Sequence, residues 1–176
     1  MQTYDEFIPE QDIFQFEIDM EEGKYKSWVE KYPENIYTIF GAYLLLNSEQ
    51  TEDDIIYFVK QGIDLNKQSK VYWGDMHCNT PLTFACEYHN VELVRILLEA
   101  GACANTPTIY GDVCYPLYSV LQGHSASYIH PSHAKRVIDI VALLRKHGLK
   151  PEGQIPLERK KEFLGYENDE IMLFVC

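Results

Sequence analysis

The chain has 176 residues, of which 46 % are hydrophobic and 13 % aromatic; this composition supports a sizeable core and excludes wholesale disorder. Its formal net charge of -12, from 15 basic and 27 acidic residues, argues against binding to a nucleic-acid backbone or to an anionic membrane. The longest apolar runs, 140–144 and 171–176, are far below the roughly 18 residues that a membrane span needs.

Neither the N-terminus nor the cysteines point to an exported protein. Residues 1–6 lack the basic and apolar regions of a signal peptide. The five cysteines are an odd number without close pairing, which does not favour a disulfide framework. We therefore expect a cytoplasmic protein with reduced thiols.

The acidic residues are concentrated in the N-terminal part of the chain. Residues 1–66 hold 15 Asp and Glu against 4 Lys and Arg, a net charge of -11. Residues 67–176 hold 12 against 11, a net charge of -1. An interaction that depends on charge is therefore expected to involve residues 1–66.

The first elements along the chain are predicted to be short helices. Residues 22–33 predict a turn and a helix of a degenerate N-terminal unit, and the acidic residues 1–22 suit its solvent-facing end. Tyr37–Asn47 predicts a further helix. Residues 53–66 predict a helix that ends at Gly62 and continues into a Gly-x-x-x-Asn sequence.

The clearest pattern lies between Thr80 and Asn105. Thr80 predicts a helix N-cap, Pro81 suits the first helical position, and Gly101 is expected to end a second helix. Two apolar stripes at helical spacing lie between these signals: Leu82, Ala85 and Cys86, then Leu93, Val94, Leu97 and Leu98. Helices this short cannot bury a face alone, so they must stack on neighbours.

The same order of signals recurs downstream. Tyr115-Pro116-Leu117 predicts another first helix, 35 residues after the earlier one counted proline to proline. Its second helix is expected over Ala134–His147, ending at Gly148. Residues 153–157 open a last unit, with residues 169–176 as its truncated second helix.

This pattern resembles the ankyrin repeat, a unit of about 33 residues whose first helix carries T-P-L-H-x-A. Thr80, Pro81, Leu82 and Ala85 match the motif. Thr83 replaces the motif's His, so the hydrogen bond of that His is either absent or remade by a hydroxyl. The resemblance implies an all-α fold, a single-domain solenoid of stacked helix-turn-helix units with degenerate caps; a generic helical bundle or another solenoid is the alternative. The units are 12–36, 37–66, 67–105, 106–150 and 151–176.

Two loops, residues 67–79 and 106–114, depart from the pattern and are candidates for binding. Insertions in repeat proteins lie in loops on one face, which is often the binding face, and the loop at 67–79 is longer than the usual finger. Aromatic side chains dominate binding hot spots, although Tyr72 and Trp73 could instead cover the edge of the solenoid. The resemblance also implies contacts from the inner helices, near Tyr88 and Tyr118. Together with the loop residues, the predicted partner-binding residues are Tyr72, Trp73, Asp75, Met76, Tyr88, Tyr110, Asp112 and Tyr118.

The sequence contains little that indicates catalysis or metal binding. His124, His130 and His133 lengthen the turn of the fourth unit, but their spacing matches no known ligand pattern, which favours polar turn residues over a metal site. There is no nucleophile motif, and Asp53 and Asp54 would diverge on a helix. We predict no enzyme activity, no cofactor and no metal.

The resemblance implies a non-catalytic protein-binding module that uses its loop fingers and concave face. The charge of residues 1–66 suggests a sharper alternative, because small acidic ankyrin-like proteins resemble immunity proteins that neutralise basic toxins or nucleases. An enzyme or metal-binding protein built on the histidine loop is the third alternative. We expect a protein partner (a basic one in the second case), no nucleic acid, no membrane and a monomeric state.

Overall fold

Short helices make up most of the structure, a computed structural model that describes residues 8–68, 80–110, 112–122 and 131–155. Two 3-10 turns, Glu10–Asp12 and Pro33–Asn35, precede helices of the N-terminal part. The strands β1 (Thr108–Tyr110) and β2 (Asp112–Cys114) form an antiparallel hairpin. The helices are α1 (Ile13–Glu21), α2 (Lys26–Lys31), α3 (Ile36–Leu46), α4 (Glu52–Lys60), α5 (Pro81–Glu87), α6 (Val91–Glu99), α7 (Pro116–Gln122) and α8 (Pro131–Lys146).

The prediction of a helical fold is confirmed, with two corrections. The segment after Asn105, predicted as a loop, contains the β1–β2 hairpin, because Thr108, Ile109 and Val113 are β-branched residues that favour strands. The second helix of the fourth unit begins at Pro131 rather than Ala134, since a proline is well tolerated in the first helical turn. His133 therefore lies in α8 and not in the preceding turn.

The helices begin at the capping residues that the sequence indicates. The Thr80 hydroxyl accepts the Thr83 amide at 3.2 Å, and Pro81 occupies the first turn of α5. Thr51 and Asp54 form a reciprocal capping box at the start of α4. These local hydrogen bonds explain why chain segments of only seven to nine residues start helices at defined positions.

Helices α4, α6 and α8 end in the same glycine conformation. Gly62, Gly101 and Gly148 have φ values of 97°, 104° and 83°, the left-handed region that favours glycine. After each glycine, the next amide donates to a carbonyl five residues earlier: Ile63 to Phe58 at 3.1 Å, Ala102 to Leu97 at 2.9 Å and Leu149 to Leu144 at 2.9 Å. This is the Schellman arrangement, which turns the chain out of each second helix.

Replacing Gly101 by valine is expected to lower the free energy of unfolding by about 2 kcal/mol. No atom lies within 4 Å of an added Cβ, so the cost arises from forcing a β-branched residue into positive φ. Urea denaturation followed by circular dichroism measures the change. Gly101→Asn is the matched control and should lose less, because asparagine tolerates this conformation; equal losses would contradict the explanation.

The helices pack as pairs that lie side by side. Helix α5 packs against α6 and α7, α6 also packs against α8, and α7 packs against α8. On the N-terminal side, α1 packs against α3, and α4 packs against α6. Both predicted stripes of the Thr80–Asn105 segment are buried in the core: Leu82, Ala85, Cys86, Leu93, Val94, Leu97 and Leu98.

Asparagine side chains connect the loops of neighbouring pairs. Asn66 accepts the amide of Cys103 at 2.8 Å. Asn105, the equivalent residue of the next Gly-x-x-x-Asn sequence, donates to the Gly148 carbonyl at 2.9 Å and accepts the Lys150 amide at 2.7 Å. The same sequence position therefore satisfies backbone groups of the following pair, so adjacent pairs are held in register.

None of the helices in the four described ranges combines the length and the hydropathy that crossing a bilayer requires.

Candidate functional site

The β1–β2 hairpin presents an apolar surface to solvent. Ile109 and Val113 lie directly opposite each other across the two strands and are 64 % and 44 % exposed. Thr108, the neighbour of Ile109 in β1, is buried, and its hydroxyl donates to the Cys114 carbonyl at 3.1 Å. Alternation along β1 thus points one side chain inward and the next outward. We call the exposed pair Ile109 and Val113 the finger patch.

Contacts on both sides hold the hairpin in place. Gln68 Nε2 donates to the Ile109 carbonyl at 3.1 Å and connects the hairpin to the preceding loop. Cys114 Sγ lies 3.1 Å from Ser119 Oγ in the first turn of α7. A surface that is ordered before binding loses less conformational entropy when a partner covers it.

Tyr88, which was predicted to be an inner-helix contact, is an exposed aromatic residue. It follows α5, is 47 % exposed, and its ring lies 4.6 Å from that of Phe84. Partial burial, and then the negative charge of Glu87, raise the pKa of Tyr88 above its ordinary value. The raised pKa keeps the Tyr88 hydroxyl protonated at neutral pH.

Tyr118, also predicted to contact a partner, lies in the core. Its exposed fraction is only 6 %, because α7 packs against both α5 and α8. The sequence spacing predicted that Tyr118 lies on a first helix, but it did not indicate which neighbouring helices cover that helix. We leave Tyr118 out of the contact surface.

The other predicted contact residues are described only in part or not at all. The backbones of Tyr110 and Asp112 pair at the tip of the hairpin, but their side chains lie outside the description. Four further predicted residues lie outside the described residues: Tyr72, Trp73, Asp75 and Met76.

Within the described ranges, no group of three or more His, Cys, Asp or Glu side chains is placed to hold a metal ion. His124 and His130 of the predicted histidine loop fall outside those ranges. Cys86 and Cys103 are free thiols, and Cys114 Sγ lies 3.1 Å from Ser119 Oγ. Burial raises the pKa of Cys86 and of Cys114, which disfavours the nucleophilic thiolate at both positions.

A hydrogen-bonded carboxylate in the N-terminal part has a structural role. The hydroxyls of Tyr25, Tyr43 and Thr51 donate to Asp54 at 2.6, 2.7 and 2.6 Å, and the Thr51 amide donates at 3.2 Å. Burial favours a higher pKa for Asp54, but these hydrogen bonds lower the pKa below its ordinary value. These four donors use the hydrogen-bonding capacity of the Asp54 carboxylate, so it is not available to bind a substrate.

His89 links two helical pairs, and this link was not predicted from the sequence. His89 follows α5, has a positive φ of 50°, and is buried. Its Nε2 donates to the Val120 carbonyl at 2.7 Å, near the C-terminal end of α7, where carbonyls lack helical partners. No local sequence signal indicates a contact between residues 31 positions apart.

Residues 77–109 match the family model of the ankyrin repeat. This segment is similar to an ankyrin repeat. Comparisons with curated proteins and with solved structures gave no significant match. Ankyrin repeats generally mediate protein–protein interactions and are typically not catalytic.

The ankyrin match confirms the resemblance carried by Thr80, Pro81, Leu82 and Ala85. The structure also shows the contacts of Thr83, which stands where the motif has His. Thr83 Oγ1 donates to the Thr80 carbonyl at 2.9 Å and lies 3.0 Å from the Thr80 hydroxyl. The Thr83 hydroxyl is therefore hydrogen-bonded within the first turn of α5.

Proposed function

We propose that the chain is a non-catalytic protein-binding module whose helical pairs form a solenoid and whose finger patch contacts the partner. The observation that carries this proposal is the exposed pair Ile109 and Val113 on an anchored hairpin that begins inside the ankyrin repeat. Covering two adjacent aliphatic side chains removes apolar surface from water, which favours association.

The packing of the helical pairs supports the solenoid. Contacts run between equivalent helices, from α5 to α7 and from α6 to α8. Asn66 and Asn105 repeat the same connection to the following pair. Repeat domains built in this way present an extended surface of loops and first helices.

The proposed contact surface extends from the finger patch to Tyr88. The hairpin precedes α7, whereas His89, next to Tyr88, contacts the Val120 carbonyl at the other end of that helix. A helix of 7 residues is about 10 Å long, so one partner can cover both positions. The surface also includes the predicted residues Tyr72, Trp73, Asp75, Met76, Tyr110 and Asp112 as part of the proposal.

A capture experiment with matched variants tests the finger patch. The immobilised chain is used to capture proteins from its native host, and mass spectrometry identifies the partner. The double variant Ile109→Ser/Val113→Ser should then weaken binding of that partner about 30-fold, equivalent to about 2 kcal/mol. The melting temperature should hardly change, because both side chains are exposed.

Phe14→Ser is the matched control for the same capture experiment. Phe14 is 74 % exposed, is also apolar, and lies on α1 rather than on the hairpin. The control should bind the partner with unchanged affinity. If the hairpin variant binds as well as the wild type, or if both variants lose the same affinity, the finger patch is not the contact.

A second candidate function is that of an immunity-type inhibitor, which binds and neutralises a basic toxin or nuclease. The charge of residues 1–66 favours it, and the structure places that charge near solvent: of 13 Asp and Glu in residues 8–68, nine are exposed and none is buried. Lys24 pairs with Glu22, and Lys31 lies 3.6 Å from Asp12. The excess of exposed carboxylates would attract a positively charged partner.

The salt dependence of association tests the inhibitor hypothesis. For a basic partner, the association rate should fall about tenfold or more between about 0.01 M and about 0.15 M salt, since the Debye length shrinks from about 30 Å to about 8 Å. Stopped-flow kinetics measures the rate, and a stoichiometric amount of the chain should suppress the partner's own activity. An association rate that does not change with salt concentration, or a partner that stays active in the complex, would contradict the inhibitor hypothesis and favour the general binding module.

A further inference from the structure

We draw no further inference here: the strongest candidate, the exposed Ile109 and Val113 patch on the β1–β2 hairpin, belongs to the surface already proposed for partner binding, and nothing in the structure shows what covers it.

Discussion

Replacing Phe58 by alanine is expected to lower the free energy of unfolding by about 4 kcal/mol. The Phe58 side chain is fully buried, and its ring centroid lies 4.6 Å from that of Tyr25 and 4.7 Å from that of Phe40. The rings of Tyr43 and Tyr57 follow at 5.5 and 5.7 Å. Removing the central ring leaves a cavity among four aromatic side chains that cannot collapse without moving several helices.

Chemical denaturation followed by tyrosine and tryptophan fluorescence measures the loss at Phe58. Phe58→Leu keeps most of the volume and should lose roughly a third as much stability. Phe14→Ala removes an equally large ring from an exposed position and should change the free energy of unfolding by about 0.5 kcal/mol or less. Similar values for Phe58→Ala and Phe14→Ala would show that the aromatic cluster is not a stabilising core.

Replacing Asp54 by alanine is expected to cost about 3 kcal/mol of unfolding free energy. The substitution removes the acceptor of two tyrosine hydroxyls, those of Tyr25 and Tyr43, and it removes half of the capping box with Thr51. Both rings are fully buried, so their hydroxyls have little access to replacement water. Asp53→Ala is the matched control, because Asp53 is exposed in the same helical turn and should cost well under half as much.

The contribution of Asp54 is also expected to depend on pH. The folded state lowers the pKa of Asp54 below the ordinary value of 3.8, so folding is favoured when the carboxyl is ionised. This stabilisation is fully present above the unfolded-state pKa and is lost as pH falls through the folded-state pKa. Denaturation of the wild type and of Asp54→Asn from about pH 6 to about pH 3 should show the difference in stability shrinking with acid. A difference that stays constant would contradict an ionised, hydrogen-bonded Asp54.

Local signals explain why much of the helical framework could be predicted. The helix predicted over Tyr37–Asn47 is observed at Ile36–Leu46, and the N-cap predicted at Thr80 is present. The predicted helix ends at Gly62, Gly101 and Gly148 are also observed. Caps, prolines and C-terminal glycines act within one helical turn, so the amino-acid order specifies them without tertiary information.

The candidate site was predictable only in part. The loop after Asn105 was identified as a binding candidate, but its hairpin was missed, although Thr108-Ile109-Tyr110 and Asp112-Val113-Cys114 flank a glycine in the manner of a hairpin. Tyr88 is exposed as expected, whereas the equally plausible Tyr118 is buried. Tyrosine occurs both in protein cores and on surfaces, so the residue type alone did not indicate that Tyr88 is exposed and Tyr118 is buried.

By itself, the sequence determined most of the helices and the similarity of residues 77–109 to the ankyrin repeat, because capping and turn signals act between residues close together in the chain. Tertiary structure alone decided which side of each unit faces solvent. The burial of Tyr118 and the bond from His89 to Val120 each depend on how one helical pair meets the next. These contacts join residues far apart in the chain, so short-range patterns do not encode them.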